Sequence, residues 1–150
     1  MPDVSLNWQS KFEINTTPGA NPGTFEVLGV GFSNVSMSLN EALYQASYLS
    51  DEGYSSTTVT GGQFTFTLTG TRVFGDPAQD FIFSDDVMQY WGTKRETTGR
   101  ITRRDQSVLE FPLTIAKITD GGGDANAVSA ITVEFHANGK PKFTPAPPAP

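Results

Sequence analysis

Four aspartates gather around one predicted helix start, and paired carboxylates are the groups that could supply a general acid and a general base. They are Asp76, Asp80, Asp85 and Asp86. Glycoside hydrolysis needs two such groups facing each other across a cleft. These four instead lie close together near the start of a helix, where the helix dipole favours negative charge. The pattern favours a structural role for these aspartates, and a hydrolase is the least favoured function for the chain.

The segment from Asp120 to Asn126 is rich in glycine and in side-chain oxygens, which suggests a calcium loop. It lacks the regular acidic spacing and the terminal glutamate of an EF-hand. Its glycines also do not follow the spacing of a phosphate-binding loop. We expect a flexible turn here, and the sequence leaves open whether the loop binds an ion.

His136 is the single histidine, and the chain has no cysteine. The lack of cysteine excludes disulfides, thiolate metal sites and cysteine nucleophiles. A catalytic triad would need a nucleophile and an acid beside the histidine, but strand alternation puts His136 on a wet face with Thr132 and Glu134. The sequence therefore predicts no catalytic, cofactor-binding or metal-binding residue, and the chain is not expected to be an enzyme.

Basic residues are concentrated in one short stretch, which holds five of the ten in the chain: Lys94, Arg95, Arg100, Arg103 and Arg104. The stretch carries a net charge of +4, although the whole chain has a net charge of −6. No aromatic side chain is interleaved to stack on bases, which disfavours binding of single-stranded nucleic acid. We expect Arg100, Arg103 and Arg104 to meet acidic residues of another copy across a head-to-tail interface that closes a ring.

The stretch from Val59 to Phe83 is predicted to organise the fold. Phe64, Phe66 and Leu68 alternate with threonines, the period of a half-buried strand. Asp76 then suits a helix N-cap and is followed by proline at the first helical position. Gln79 is placed to reach back to the cap in a capping box. This helix is expected to pack Ala78, Phe81 and Ile82 against the sheet.

The remaining patterns predict a mainly β domain. Further strands are expected at residues 6–14, in two pieces within 25–39, at 109–115 and at 131–136. In the first strand, Glu13 is assigned to the wet face, and Pro112 in a later one implies an edge or a bulge. At 150 residues the chain fits one domain. The expected architecture is a β-sandwich or small barrel with one flanking α-helix and a long inter-strand loop.

Residues 40–62 form that long segment, and periodicity does not decide whether residues 40–58 are helical or extended. Tyrosines are favoured at interfaces because they present a large rigid body with a polar tip. We therefore predict an arm that is mobile in the isolated subunit and contacts a neighbour through Tyr48, Asp51, Glu52 and Tyr54. The alternative is a loop folded back on its own domain. The proline-rich tail at 141–150 is expected to be extended.

Targeting signals are missing from the sequence as given. No apolar run approaches the length needed to span a membrane, and the N-terminal residues lack the basic and apolar regions of a secretory signal. We expect a soluble protein that is made in the cytosol and has no membrane partner.

The order of these features resembles the major tail tube proteins of long-tailed bacteriophages with non-contractile tails. The resemblance covers most of the chain, and none of the segments that carry it is a catalytic signature. These segments are Leu49 to Tyr54, Val59 to Gly62, Leu68 to Arg72, Gly75 to Ile82, Asp120 to Asn126 and Asn138 to Pro141.

The resemblance implies a structural virion protein made in the bacterial host cytoplasm. Its copies would form hexameric rings that stack into a hollow tail tube, with a long loop reaching the next ring. Further partners would be the tape measure, tail terminator and distal tail proteins. Genomic DNA would pass through an electronegative lumen without specific binding. The alternative is a monomeric β-sandwich binding module for carbohydrate or a capsid surface, which would not polymerise.

Overall fold

The computed structural model describes residues 3–148. Within that range it confirms a mainly β fold with two short α-helices. The elements are β1 (Lys11–Asn15), β2 (Phe25–Val27), β3 (Phe32–Ser38), β4 (Ala42–Ser47), β5 (Ser55–Gly61), β6 (Thr65–Thr71), α1 (Pro77–Ile82), α2 (Asp85–Met88), β7 (Glu96–Thr102), β8 (Val108–Asp120), β9 (Ala130–Ala137) and β10 (Lys142–Thr144). Short 3-10 turns occupy Asn7–Gln9, Leu49–Asp51 and Gly92–Arg95.

Eight strands form one antiparallel sheet in the order β2-β1-β7-β8-β9-β6-β3, and β10 pairs with the start of β8. The sheet curls strongly, because Phe12 of β1 lies 5.6 Å from Phe66 of β6 although three strands separate them in the sheet. The result is a small open barrel. The strands β4 and β5 pair only with each other and form a hairpin inserted between β3 and β6.

The core lies inside the curl and is built by side chains that alternate along each strand. Phe66 is its centre: its ring stacks on Phe135 at 4.7 Å and meets Phe111 edge-on at 6.1 Å. The predicted inward residues of β6, β8 and β9 are all buried or half-buried. Burying apolar area of this kind supplies the main driving force for folding.

The predicted helix start is confirmed, but its capping box is not. The Asp76 carboxylate accepts from the Gln79 backbone N–H at 3.2 Å, and Pro77 occupies the first helical position. The Gln79 side chain does not return to the cap. Instead it is fully buried: its amide nitrogen donates to the carbonyls of Val30 (2.9 Å) and Thr71 (3.1 Å), and its oxygen accepts from the Val73 N–H at 2.8 Å.

Gly31 makes room for this buried amide. Its φ of +83° is a left-handed conformation that glycine adopts without strain. A Cβ at that position would lie 2.5 Å from the Gln79 amide nitrogen. The glycines at the bend between β2 and β3 therefore serve the predicted break in the strand and also admit the Gln79 side chain.

Two predictions about local elements are wrong. The expected strand at 6–14 begins only at Lys11, because Asn7–Gln9 turns as a 3-10 helix whose Gln9 side chain accepts from the Leu6 N–H. The single flanking helix is two helices, since the first ends at Phe83 and Ser84 starts the second.

Two strand details also differ from a local interpretation of the sequence. The strand β7 was not predicted within the basic stretch, because its inward residues are mostly small: Thr97, Gly99 and Ile101. Pro112 lies inside β8, where the partner on one side changes from β9 to β10. The missing N–H is tolerated at this break, as expected for proline at a local edge.

The sequence left open whether residues 40–58 are helical or extended. The structure shows that they are extended, as the strands β4 and β5 joined by the 3-10 turn at Leu49–Asp51.

Within residues 3–148, no helix is long and apolar enough to cross a membrane.

We predict that Gln79→Ala lowers the free energy of unfolding by about 2–4 kcal/mol, because it leaves a buried N–H and two buried carbonyls without their partner. Urea denaturation measures this change. Gln89→Ala is the matched control, since Gln89 is exposed and its substitution should change stability by less than about 0.5 kcal/mol. Equal effects of the two substitutions would contradict the role assigned to Gln79.

Candidate assembly surface

The β4–β5 hairpin is the most exposed part of the described structure. It projects beyond the sheet, and every β5 side chain is exposed. The cross-strand pair Leu43 and Val59 lies on one face near the base. Tyr44 and Tyr48 lie on the other, where their hydroxyls are 3.2 Å apart. Exposed apolar and aromatic side chains in one projecting element are typical of a surface that another protein covers.

The hairpin tip brings together the residues that the sequence singled out. The chain turns through Leu49–Asp51, and Glu52 (φ 53°) and Gly53 (φ 89°) adopt left-handed conformations that reverse its direction. Leu49 is completely exposed, and Tyr54 is largely exposed. The tip therefore presents apolar side chains next to the carboxylates of Asp51 and Glu52. The hydrogen bond with Tyr44 raises the pKa of the Tyr48 hydroxyl.

An open groove of about 970 Å³ lies at the base of the hairpin. Val59 of the hairpin lines one side, and Phe64 and Leu109 line another. Arg103 and Lys140 add positive charge to its lining, and Glu41 adds one negative charge. The groove is therefore mainly apolar with an excess of one basic residue, and its composition complements the apolar and acidic hairpin tip.

Arg100 is held within its own chain. Its guanidinium donates to both carboxylate oxygens of Glu13, at 3.1 and 3.3 Å, and lies 4.1 Å from the centre of the Phe25 ring. The Glu13 side chain is only 8% exposed. The prediction that Glu13 faces water is therefore wrong, because Arg100 on the neighbouring strand covers it. A contact between Arg100 and another subunit stays a prediction, and it would have to form around this existing pair.

Arg103 and Arg104 differ in whether they form an ion pair within residues 3–148. Arg104 forms an ion pair with Asp3 and donates to the Val4 carbonyl at 3.2 Å. Arg103 is exposed, makes no ion pair within residues 3–148, and lies 5.9 Å from the Phe143 ring centre. Hydrogen bonds from Ser107, with a smaller effect of the Arg103 charge, lower the pKa of the Asp105 carboxyl. Of the three arginines, Arg103 is the most available to a partner.

The acids near α1 have structural partners. Asp76 caps the helix, and Asp80 accepts from the Arg72 guanidinium at 3.3 Å. Arg72 is itself largely buried and lies over the rings of Phe74 (4.3 Å) and Phe83 (5.0 Å). This arrangement fixes the helix to the end of β6 and does not form two opposed carboxylates across a cleft.

The other chemical candidates also stay apart. Among residues 3–148 no group of three or more histidine, cysteine, aspartate or glutamate side chains is arranged to hold a metal ion. His136 Nε2 lies 3.1 Å from a Glu134 oxygen on the outer face of β9. The loop between β8 and β9 follows the predicted glycine-rich turn, with Gly121, Gly122 and Gly123 all at positive φ.

The outer face of β6 and β9 is polar. Thr65, Thr67 and Thr69 of β6 lie directly across from His136, Glu134 and Thr132 of β9. Lys117 reaches Glu134 at 3.8 Å, so the cation nearest to this face is paired with an acid. Hydroxyl groups and one paired carboxylate give a wet surface with little free positive charge.

Proteins of known structure share the fold of this chain. No protein-family model matches the sequence, and no curated protein matches it significantly. A chain from the tail of an empty gene transfer agent particle with C6 symmetry matches with a TM-score of 0.70 and 16% identity, over 95% of this chain and 100% of that one. This chain has the fold of a particle tail component.

Contractile injection systems contain the same fold. A chain of the anti-feeding prophage baseplate matches with a TM-score of 0.61 and 14% identity, over 96% of each chain. A chain in the sheath/tube terminator of an extracellular contractile injection system matches with a TM-score of 0.58 and 13% identity, over 97% of this chain and 99% of that one. The fold alone therefore does not indicate a non-contractile particle.

We expect Arg100→Ala to lower the free energy of unfolding by about 1–3 kcal/mol, because it leaves the buried Glu13 carboxylate with only the exposed Lys11 ammonium, 3.9 Å away, as a cationic partner. The partial exposure of Arg100, 32% of its side chain, keeps the value below that of a fully buried pair. Arg103→Ala is the control and should change stability by less than about 0.5 kcal/mol. Thermal or urea unfolding of both variants tests this, and a larger loss in Arg103→Ala would contradict it.

Proposed function

We propose that this chain is the subunit of a phage-type tail tube, in which copies close into six-fold rings that stack around a hollow bore. The observation that carries the proposal is the projecting hairpin, whose Leu49, Tyr48 and Tyr54 are left exposed by all the elements within residues 3–148. The shared fold supports it, since one of the matching chains comes from a particle tail with C6 symmetry.

The hairpin is proposed to bridge stacked rings. It leaves the sheet at one end, between Ser38 of β3 and Thr65 of β6. Its tip combines apolar side chains with two acids, and the basic groove at the hairpin base is a complementary acceptor on the next copy. Such a contact is heterologous, because different surfaces of the two copies meet, and a heterologous contact repeats along an assembly.

Contacts between subunits of one ring are proposed to use the uneven distribution of charge along the chain. Arg103 is an exposed cation of the basic stretch, and the rest of the chain carries fifteen acidic residues against five basic ones. An exposed ion pair contributes only about 0–1 kcal/mol. Many repeated pairs around a ring would be needed for a measurable effect on affinity. Charge would therefore set the orientation of the subunits, and apolar contacts would supply most of the affinity.

The bore is proposed to carry genomic DNA without binding it. Binding to duplex DNA depends on fixed cations that replace condensed counterions. The polar face of β6 and β9 presents threonine hydroxyls and places Lys117 next to Glu134. A ring that turned such a face toward its axis would give a wet lining with little free positive charge to hold phosphates.

We propose more specifically that the tail is the long, non-contractile tail of a bacteriophage. The protein would be made in the bacterial host cytoplasm and assembled into the virion. This assignment rests on the resemblance of the sequence to tail tube proteins of that class. The partners that it implies are a tape measure protein inside the tube and the terminator and distal tail proteins at its ends.

We expect Leu49→Asp to prevent assembly while leaving the monomer as stable as the wild type, because Leu49 makes no contact with the core. Sedimentation velocity at increasing concentration measures the change. Val128→Asp is the matched control: Val128 is also an exposed apolar residue, but it lies in the loop between β8 and β9. A wild-type chain that remains monomeric at every concentration would contradict the tube and favour a binding module.

Assembled protein is expected to show no measurable affinity for duplex DNA at physiological salt, because its bore offers no row of free cations. Fluorescence anisotropy of a labelled duplex, titrated with preformed assemblies, is the measurement. Tight binding that weakens steeply with salt would place the basic stretch in the bore and contradict the proposed lining.

A further inference from the structure

A second groove lies where β7 ends and β8 continues without it. The pairing of β7 with β8 stops at Glu96 and Thr114, whereas β8 runs on to Asp120. From Ile115 onward, the described part of the chain gives β8 a strand partner only on its β9 side. The other edge opens into a groove of about 540 Å³, walled by Trp91 and the turn that follows it.

Trp91 is the prominent side chain of this groove. It is 83% exposed, although tryptophan offers more apolar area to bury than any other residue type. Tyr90 beside it is half exposed, and the Lys94 ammonium lies 5.9 Å from the Tyr90 ring centre. Two neighbouring aromatic side chains are thus presented to the outside next to an open strand edge.

Arg95 holds this turn in place. Its guanidinium donates to three carbonyls, those of Tyr90 (3.0 Å), Met88 (3.1 Å) and Ile115 (3.3 Å). The hydrogen bonds connect the end of α2, the turn that carries Tyr90 and Trp91, and the first residue of β8 beyond its pairing with β7. The backbone that carries Trp91 is therefore fixed before any partner arrives, which lowers the entropic cost of binding.

The groove has the chemistry of a site for a proline-rich segment. Such segments adopt an extended polyproline II helix and dock on exposed aromatic side chains with little loss of entropy. Prolines have no N–H and offer only carbonyl acceptors. The groove supplies the matching donors, namely the indole N–H of Trp91 and the backbone N–H groups of an open strand edge.

The chain itself contains one segment of this kind, Pro-Ala-Pro-Pro-Ala-Pro at residues 145–150. Pro145, Pro147 and Pro148 are exposed and belong to no strand or helix. We propose that the proline-rich segment of one copy docks on the Trp91 groove of another copy.

The topology directs the segment away from the groove of its own copy. The strand β10 runs antiparallel to β8, from Lys142 opposite Glu110 to Thr144 opposite Val108. Residues that continue in the direction of β10 therefore move away from Ile115 and toward a neighbouring copy.

The direction of the segment agrees with the assembly. It leaves the sheet at the end where β9 finishes at Ala137 and where the hairpin departs before Thr65. Hairpin and tail thus extend in the same direction, toward the same neighbouring copy. The inference rests on the proposed tube for this setting, but the docking itself requires only two copies of the chain.

A peptide of residues 143–150, titrated into the full chain at concentrations where it is monomeric, tests the docking without any assembly. The full chain carries Trp8→Phe, so that Trp91 is the remaining tryptophan and its fluorescence reports binding. We expect a saturable change below about 1 mM peptide. A peptide in which Pro147 and Pro148 are replaced by glycine should bind at least about tenfold more weakly, because glycine removes the preformed helix.

Calorimetry with two tryptophan variants locates the site. Trp91→Ala should weaken peptide binding at least about tenfold, as expected for a central aromatic contact. Trp8→Ala is the matched control, since Trp8 is equally exposed at 78% and lies in another groove, and it should change affinity less than about twofold.

The absence of saturable binding, or binding that Trp91→Ala leaves unchanged, would overturn the inference and leave the tube proposal standing. Saturable, Trp91-dependent binding by a chain that never polymerises would sustain the inference and refute the tube. Circular dichroism of each variant confirms that the fold is retained.

Discussion

The side-chain amide of Gln79 is the interaction on which the arrangement of this molecule depends. An amide has two donor hydrogens and an acceptor oxygen, and here they bind Val30, Thr71, Val73 and Arg72. These partners come from the start of β3, the end of β6 and the link to α1. The amide thereby joins the helices to one end of the β3–β6 pair. The hairpin, which continues the same two strands, projects from the opposite end.

This division separates stability from assembly. The core around Phe66 includes Ala78, Ile82 and Val87 of the helices. The hairpin tip, the basic groove and the Trp91 groove lie outside that core and hold several of the apolar side chains that remain exposed. A subunit of a repeating structure has to keep such surfaces available while it folds alone, and rigid extensions from a stable barrel meet that requirement.

The sequence predicted the parts of the fold that depend on neighbouring residues. The alternation around Phe66 and the cap at Asp76 are both local, and each is confirmed. The burial of Glu13 was missed because it depends on Arg100, 87 positions away. The strand β7 was missed because a curled sheet needs small inward residues there. The candidate interface residues other than Arg100 fall on exposed surface. No local pattern shows which arginine is already paired, and Trp91 gave no periodic signal.

The central claim is that the exposed hairpin joins copies of this chain into a tube. Electron cryomicroscopy of concentrated, purified protein tests it most directly. The account predicts hollow assemblies with six subunits per ring, in which Leu49 and Tyr54 of each hairpin are buried against a subunit of the next ring. Monodisperse single subunits, or an assembly whose hairpins remain in solvent, would contradict it.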